Sequence, residues 1–118
     1  MKYALLIYEN EGQADQSEEQ MGRWWAYTEE LQKSGQGAGG EALQPIATAT
    51  TVRVRDGKTV TTDGPFAETK EQLGGFYLVD CNNLDEAIAW AAKIPNSNSG
   101  SIEVRPLLTF DDMPEHGQ

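Results

Sequence analysis

Eight side chains in this sequence have types and positions that could do chemistry. Asp63, Glu68, Lys70 and Glu71 fall in one run, DGPFAETKEQLGGFYLVD, between Asp63 and Asp80. Glu103 and Arg105 lie two residues apart near the far end, and Tyr8 and Tyr77 offer hydroxyl groups. Such a set suits proton transfer: Asp63 or Glu103 as a catalytic carboxylate, with Arg105 or Lys70 holding an anionic substrate or enolate. A carboxylate acts as a base near neutral pH only where burial or a like charge raises its pKa. The candidate ligand-binding residues are therefore Asp63, Glu68, Lys70, Arg105, Tyr8 and Tyr77. A structural role competes at each. Asp63 could accept backbone N–H bonds and fix its own turn, Glu68 and Lys70 could line a solvated turn, and Glu103 and Arg105 could pair with strand neighbours.

The elements that must position these groups follow from punctuation and periodicity. Asp63-Gly64-Pro65-Phe66 is turn chemistry: Gly64 tolerates unusual dihedrals, and Pro65 fixes its own φ and steers Gly64 away from the helical region. Gly74-Gly75 then releases the chain into Phe76-Tyr77-Leu78-Val79, which reads as a buried strand. Lys2 to Glu9 is the first strand, with Tyr3, Leu5 and Ile7 on one face and Ala4, Leu6 and Tyr8 on the other. Both faces are apolar, so the second must pack on another sheet or on a partner subunit.

Ser17 and Gln20 form a capping-box pattern opening a helix to about Ser34, closed by Gly35 as a left-handed cap. Its periodicity predicts a buried stripe of Met21, Trp24, Trp25, Thr28 and Leu31. Gly35 to Gln44 holds four glycines. It lacks the GK[ST] ending of a phosphate loop and fits close backbone approach beside a bulged strand. Asp56-Gly57 joins Thr48–Arg55 to Lys58–Thr62 as a hairpin, and a two-residue turn places Arg53, Arg55 and Lys58 on one face. Asn83 and Glu86 mark a second cap, with a helix from Leu84 to about Ile94. Leu84, Ala87, Ile88 and Ala91 form its stripe, and Pro95 stops it. Ser101 to Leu108 is the last strand: Ile102, Val104 and Pro106 on one face, Glu103, Arg105 and Leu107 on the other. If Ile102 and Val104 pack under helices, Arg105 turns away from them and should meet a carboxylate, Asp63 or Glu68 first.

The skeleton is β-α-β, a hairpin, then β-α-β. It predicts an α+β, ferredoxin-like βαββαβ fold with an inserted β-hairpin, two helices covering one face of an antiparallel sheet. Face-to-face pairing of two such sheets would bury the second face of the first strand and give a two-fold homodimer. One domain is expected over residues 1–110, followed by a polar tail over 111–118 that is expected to be disordered.

Composition removes several function classes. A net charge of −10 over 118 residues opposes binding to nucleic acid or to an anionic membrane. No apolar run reaches the ~18 residues of a membrane span, and the N-terminus lacks a secretory pattern, so the expected compartment is cytoplasmic. The single cysteine, Cys81, leaves no intrachain disulfide, and the single histidine, His116, lies in the polar tail. No zinc site follows from those two residues, and no metal or cofactor is expected. A Ser-His-Asp or Cys-His arrangement would need the tail to fold back.

With these elements in place, the chain resembles the YCII-related family, in its DGPF-domain branch. The resemblance is carried by KYALLIY, GGEALQP (Gly39 to Pro45), TTVRVRDGK, the DGPF stretch, LDEAIAWA and GSIEVRPL. It implies a dimeric α+β barrel of ferredoxin-like subunits and no settled activity. The wider fold group includes muconolactone-isomerase-like and monooxygenase-like enzymes. Some DGPF-type proteins resemble partners encoded beside extracytoplasmic-function sigma factors. Where several such chains place a histidine before the glycine preceding the last strand, this one has Ser99, which removes a His-Asp acid–base pair. Two functions therefore stay open: a protein binding a small molecule in a cleft, or a non-catalytic accessory or regulatory protein.

Overall fold

The computed structural model describes residues 1–109. The polar tail expected over 111–118, with His116, lies outside the described residues. Four strands form one antiparallel sheet: β1 (Lys2–Glu9), β2 (Gly37–Ala42), β5 (Gln72–Asp80) and β6 (Ser101–Pro106). Their spatial order is β2-β5-β1-β6. Helices α1 (Glu18–Ser34) and α2 (Leu84–Ala92) make the two crossovers. Between β2 and β5 a hairpin of β3 (Thr50–Arg55) and β4 (Lys58–Asp63) forms its own two-stranded sheet. The fold is the α+β, ferredoxin-like βαββαβ subunit with an inserted hairpin, of the dimeric α+β barrel class.

Local chemistry accounts for the boundaries. The Ser17 side chain accepts from the Gln20 N–H at 3.1 Å, while Asp15, rather than Gln20, accepts the Ser17 N–H at 2.9 Å. Asn83 caps α2 in the same way, accepting from the Glu86 N–H at 3.0 Å. Gly35 ends α1 with φ 79°. α2 stops at Ala92, short of the expected Ile94. Its exit tightens through bonds from the Lys93 N–H to the Trp90 carbonyl and from the Ile94 N–H to the Ala91 carbonyl, just before Pro95. Asp56 and Gly57 sit at φ 53° and 75°, the left-handed pair of a two-residue hairpin turn. Arg55 lies opposite Lys58 and Arg53 opposite Val60, so the three basic residues share a face.

The core lies between the sheet and the helices. Tyr3, Leu5, Ile7 and Val79 supply the sheet side; Tyr27, Leu31, Ala87, Ala91 and Ile94 come from the helices and the turn after α2. Both helices are rotated from the expected stripes. Met21 is 53% and Trp25 71% exposed, and Leu84 and Ile88 are each 48% exposed. Two contacts set the rotation. The Tyr27 hydroxyl donates to the Trp90 carbonyl at 2.9 Å, and its ring meets those of Tyr77 and Trp90 edge-on at 5.1 and 6.1 Å. Ala87 and Ala91 let α2 lie close to the sheet, which turns the bulkier Leu84 and Ile88 outward. Ile102 and Val104 pack against this core as expected. β6 ends at Pro106 on a sheet edge rather than at Leu108, and a last bond from the Leu107 N–H to the Lys2 carbonyl at 2.9 Å closes the ladder; the N–H that Pro106 lacks would have pointed away from β1.

Among the described residues, the other face of the sheet carries no helix. Ala4, Leu6, Phe76 and Leu78 lie on it in register, flanked by Glu103 and Arg105. The chain forms a plate of 48 × 45 × 19 Å. Its radius of gyration of 17.0 Å compares with about 13 Å for a compact chain of this length.

Candidate functional site

Two hollows flank the sheet on opposite sides. The first, about 600 Å³, opens between α1 and the β2–β5 edge. Helix α1 contributes Met21, Trp24, Trp25 and Thr28; the sheet contributes Ile7, Glu9 and Tyr77. The cleft exists because β2 runs close to β5 without side chains in between. At Gly40 (φ 153°) a Cβ would stand 2.5 Å from the Phe76 carbonyl oxygen, and at Gly75 one would stand 2.8 Å from the Glu41 carbonyl oxygen. A bulge interrupts each pairing, at Ala38 in β2 and at Gly74 opposite the Ile7/Tyr8 step. Gly40, Gly74 and Gly75 thus leave open backbone beneath the Trp24–Trp25 wall.

Within the cleft the Tyr77 hydroxyl shares a hydrogen bond with the Thr28 hydroxyl at 2.7 Å. Glu9 follows Ile7 by two residues in β1 and so shares its face. Asn96, buried after α2, donates from Nδ2 to Glu9 Oε2 at 3.0 Å and holds that carboxylate in place. Tyr27 lies behind the cleft. Burial, with Tyr77 and Glu30 nearby, pushes its phenol well above the usual range and keeps it protonated.

The second hollow, about 570 Å³, lies on the helix-free side where Tyr8 and Leu73 point. The DGPF turn borders it through Pro65, Phe66 and Ala67, and Ile46 and Glu71 complete the rim. Gly64 (φ 96°) locks this turn: its N–H donates to the Ala49 carbonyl at 2.7 Å, and Thr51 Oγ1 donates to its carbonyl at 2.9 Å. The charged run after it is tied by Thr69 Oγ1 to the Glu71 carbonyl and by Gln72 Nε2 to the Thr69 carbonyl, both at 2.6 Å.

The structure separates the candidate residues named from the sequence. Tyr77 lines the first cleft and Tyr8 the second hollow. Glu103 is exposed and accepts from the Tyr8 hydroxyl at 3.4 Å. Asp63, Glu68 and Lys70 are exposed and line neither hollow. Among the described residues the Asp63 carboxylate accepts no hydrogen bond, so Gly64 and Thr51, not Asp63, fix the DGPF turn. Arg105 lies on the helix-free face, as strand parity required, but is exposed and makes no ion pair with Asp63 or Glu68. The expected pairing within one chain is therefore corrected. Arg105 sits opposite Ala4, in the row of Leu78, whereas the charged run enters β5 at Gln72. Six residues of strand put about 20 Å between those rows.

Sequence reasoning missed Glu9 and Met21 as cleft residues and assigned Trp24 and Trp25 to the core. One signal was available: adjacent helical residues point about 100° apart, so two consecutive tryptophans cannot both sit in one narrow buried stripe. The lone thiol belongs to neither hollow. Cys81 is buried, and burial first, then the Glu86 carboxylate, pushes its pKa up, so it stays a thiol rather than a nucleophilic thiolate. Among the described residues no three His, Cys, Asp or Glu side chains gather as a metal ion would need.

Comparison with known proteins gives three findings. The family model described as the YCII-related domain matches residues 1–111. An uncharacterised protein of Rhizobium meliloti (strain 1021) is 41% identical over 117 residues, covering 93% of this chain and 94% of the relative. Among solved structures, a 5-chloro-2-hydroxyhydroquinone dehydrochlorinase from Burkholderia phenoliruptrix, in complex with 2,5-dihydroxybenzoquinone, matches with a TM-score of 0.57. It is 14% identical, and the match covers 94% of this chain and 97% of that one. At that identity the likeness is one of fold.

Proposed function

This chain belongs to the YCII-related family, and on that premise we propose that it binds a small organic molecule with a planar ring in the cleft between α1 and the β2–β5 edge. The observation that carries the proposal is the cleft itself. Its volume of about 600 Å³ falls within the ~300–1,000 Å³ of small-molecule sites. Trp24, Trp25 and Tyr77 give it aromatic walls, with Thr28, Tyr77 and Glu9 as a small set of polar groups that could orient a ligand. That a protein of the same fold holds 2,5-dihydroxybenzoquinone supports a ring-shaped ligand without identifying it. The proposal is one of binding and assigns no reaction.

The reading includes a homodimer. Leaving Leu6, Phe76 and Leu78 partly exposed to water on one side of a 19 Å plate forgoes hydrophobic burial that a second copy, face to face, would supply. The hollow at the DGPF turn opens on that same side, so the partner would close it. A cytoplasmic setting fits the unpaired Cys81; among the described residues no helix is long and apolar enough to cross a membrane.

The solvent positions of Asp63, Glu68, Lys70 and Arg105 favour a second reading, an accessory or regulatory protein acting through its surface. One experiment separates the two. A panel of mono- and bicyclic aromatic compounds is titrated into ¹⁵N-labelled protein. The cleft reading expects the indole N–H signals of Trp24 and Trp25 and the amides of Gly74 and Gly75 to shift together, with dissociation constants at or below about 1 mM for the best compounds. Signals that stay unmoved at about 10 mM compound, ten times that constant, would leave the surface reading in place.

A further inference from the structure

The charges around the cleft restrict what kind of ring it can accept, and this step rests on the cleft reading above. We propose that the ligand carries a positive charge: an aryl-alkyl ammonium compound whose cation lies against the Trp24–Trp25 wall and pairs with Glu9. Three observations lead there. First, among the described residues the only acidic or basic side chains lining the cleft are those of Glu9 and Glu41, and none of the nine Lys and Arg residues of the chain does so. Arg23, on the adjacent turn of α1, is held away by Glu19 at 2.6 Å and Gln20 at 3.0 Å. An anionic ligand entering here would lose its hydration and meet only like charge.

Second, Glu9 is positioned but not neutralised. Among the described residues its carboxylate makes one side-chain hydrogen bond, at Oε2 from the uncharged amide of buried Asn96. Oε1 remains for a donor, and an ammonium group would be a charge-assisted one. Glu41 touches the cleft from the edge strand. Its register opposite Phe76 directs its side chain to the helix-free face, so its charge acts at longer range. Third, the walls suit a cation. The faces of tryptophan and tyrosine rings attract ammonium groups, and a thioether such as Met21 is soft and polarizable. The net charge of −10 raises the local concentration of any cationic ligand.

The test uses three probes of one shape and three charges: 2-naphthylmethylammonium, 2-naphthalenemethanol and 2-naphthoate, titrated calorimetrically into the native protein at low salt. The expected order is ammonium about tenfold tighter than alcohol, and about a hundredfold tighter than carboxylate. Glu9→Gln should shrink the ammonium's advantage over the alcohol by about fivefold to tenfold. Raising salt should shrink it as well. Equal binding of ammonium and alcohol, or tighter binding of naphthoate, would overturn the charge assignment while leaving the cleft reading intact. Binding by none of the three overturns both. The ranking is read on the unsubstituted protein first, so a Glu9→Gln chain that fails to fold does not remove the test.

Discussion

The approach of β2 to β5 sets the floor of the cleft, and a single methyl group should undo it. In Gly40→Ala the new Cβ would stand 2.5 Å from the Phe76 carbonyl oxygen and 3.0 Å from the Tyr77 Cα, both backbone atoms of β5. A carbon needs about 3.3 Å from a carbonyl oxygen, so the strands must part by roughly 0.8 Å at this point or break their local pairing. Gly40 also sits at φ 153°, where an L-residue is strained by about 1–3 kcal/mol. Adding about 1 kcal/mol for a ladder hydrogen bond weakened by the displacement gives an expected loss of about 2–4 kcal/mol. With a urea dependence of about 1.5 kcal/mol per molar for a chain this size, the denaturation midpoint should fall by about 2 M. Protomer concentration must be held constant, because any dimer makes the midpoint concentration-dependent. Gly22→Ala is the internal control. It lies inside α1 with nothing within 4 Å of the new methyl, so it should stabilise by about 0.5–1 kcal/mol. A Gly40→Ala midpoint within about 0.3 M of the parent, roughly 0.5 kcal/mol on that slope, would refute the close approach of the two strands.

Two further outcomes are expected. Leu6→Asp, a charge placed in the middle of the helix-free face, should convert a dimer measured by light scattering at micromolar concentration into a monomer; a monomeric parent protein would defeat the pairing from the start. Hydrogen bonds from the Asn82 backbone and side chain, with a further one from Gln36, hold the Glu86 carboxylate below its ordinary pKa. A depressed carboxylate stabilises the fold above its unfolded pKa, and that contribution is lost as pH falls through the folded value. Glu86→Gln should therefore cost stability at neutral pH and flatten the acid side of the stability–pH profile, and parallel acid profiles for the two proteins would contradict this.

Most of the architecture was legible in the sequence because local chemistry specifies it. The Ser17 and Asn83 caps, the Gly35 stop and the Asp56-Gly57 turn depend on residues within four positions of one another, and each ended or reversed the chain where its chemistry required. Strand parity also carried through: Arg105 faces away from Ile102 and Val104. The candidate site was legible only in fragments. Which stripe of α1 is buried depends on the Tyr27 hydroxyl finding the Trp90 carbonyl, 63 residues away, and helical periodicity holds no record of that partner. Trp25 became a cleft wall rather than core for the same reason, while Trp24 packs against the core and lines the cleft as well. The separation of Arg105 from Asp63 and Glu68 depends on strand order and on the row at which each enters the sheet, and parity fixes a face, not a distance. Glu9 acquired a role only when the chain brought Asn96 against it across 87 residues. Local hydrogen bonding and side-chain alternation act over a few residues and can be read along the chain. A cleft forms where segments distant in sequence approach without filling the space between them, and only the packed structure decides where that happens.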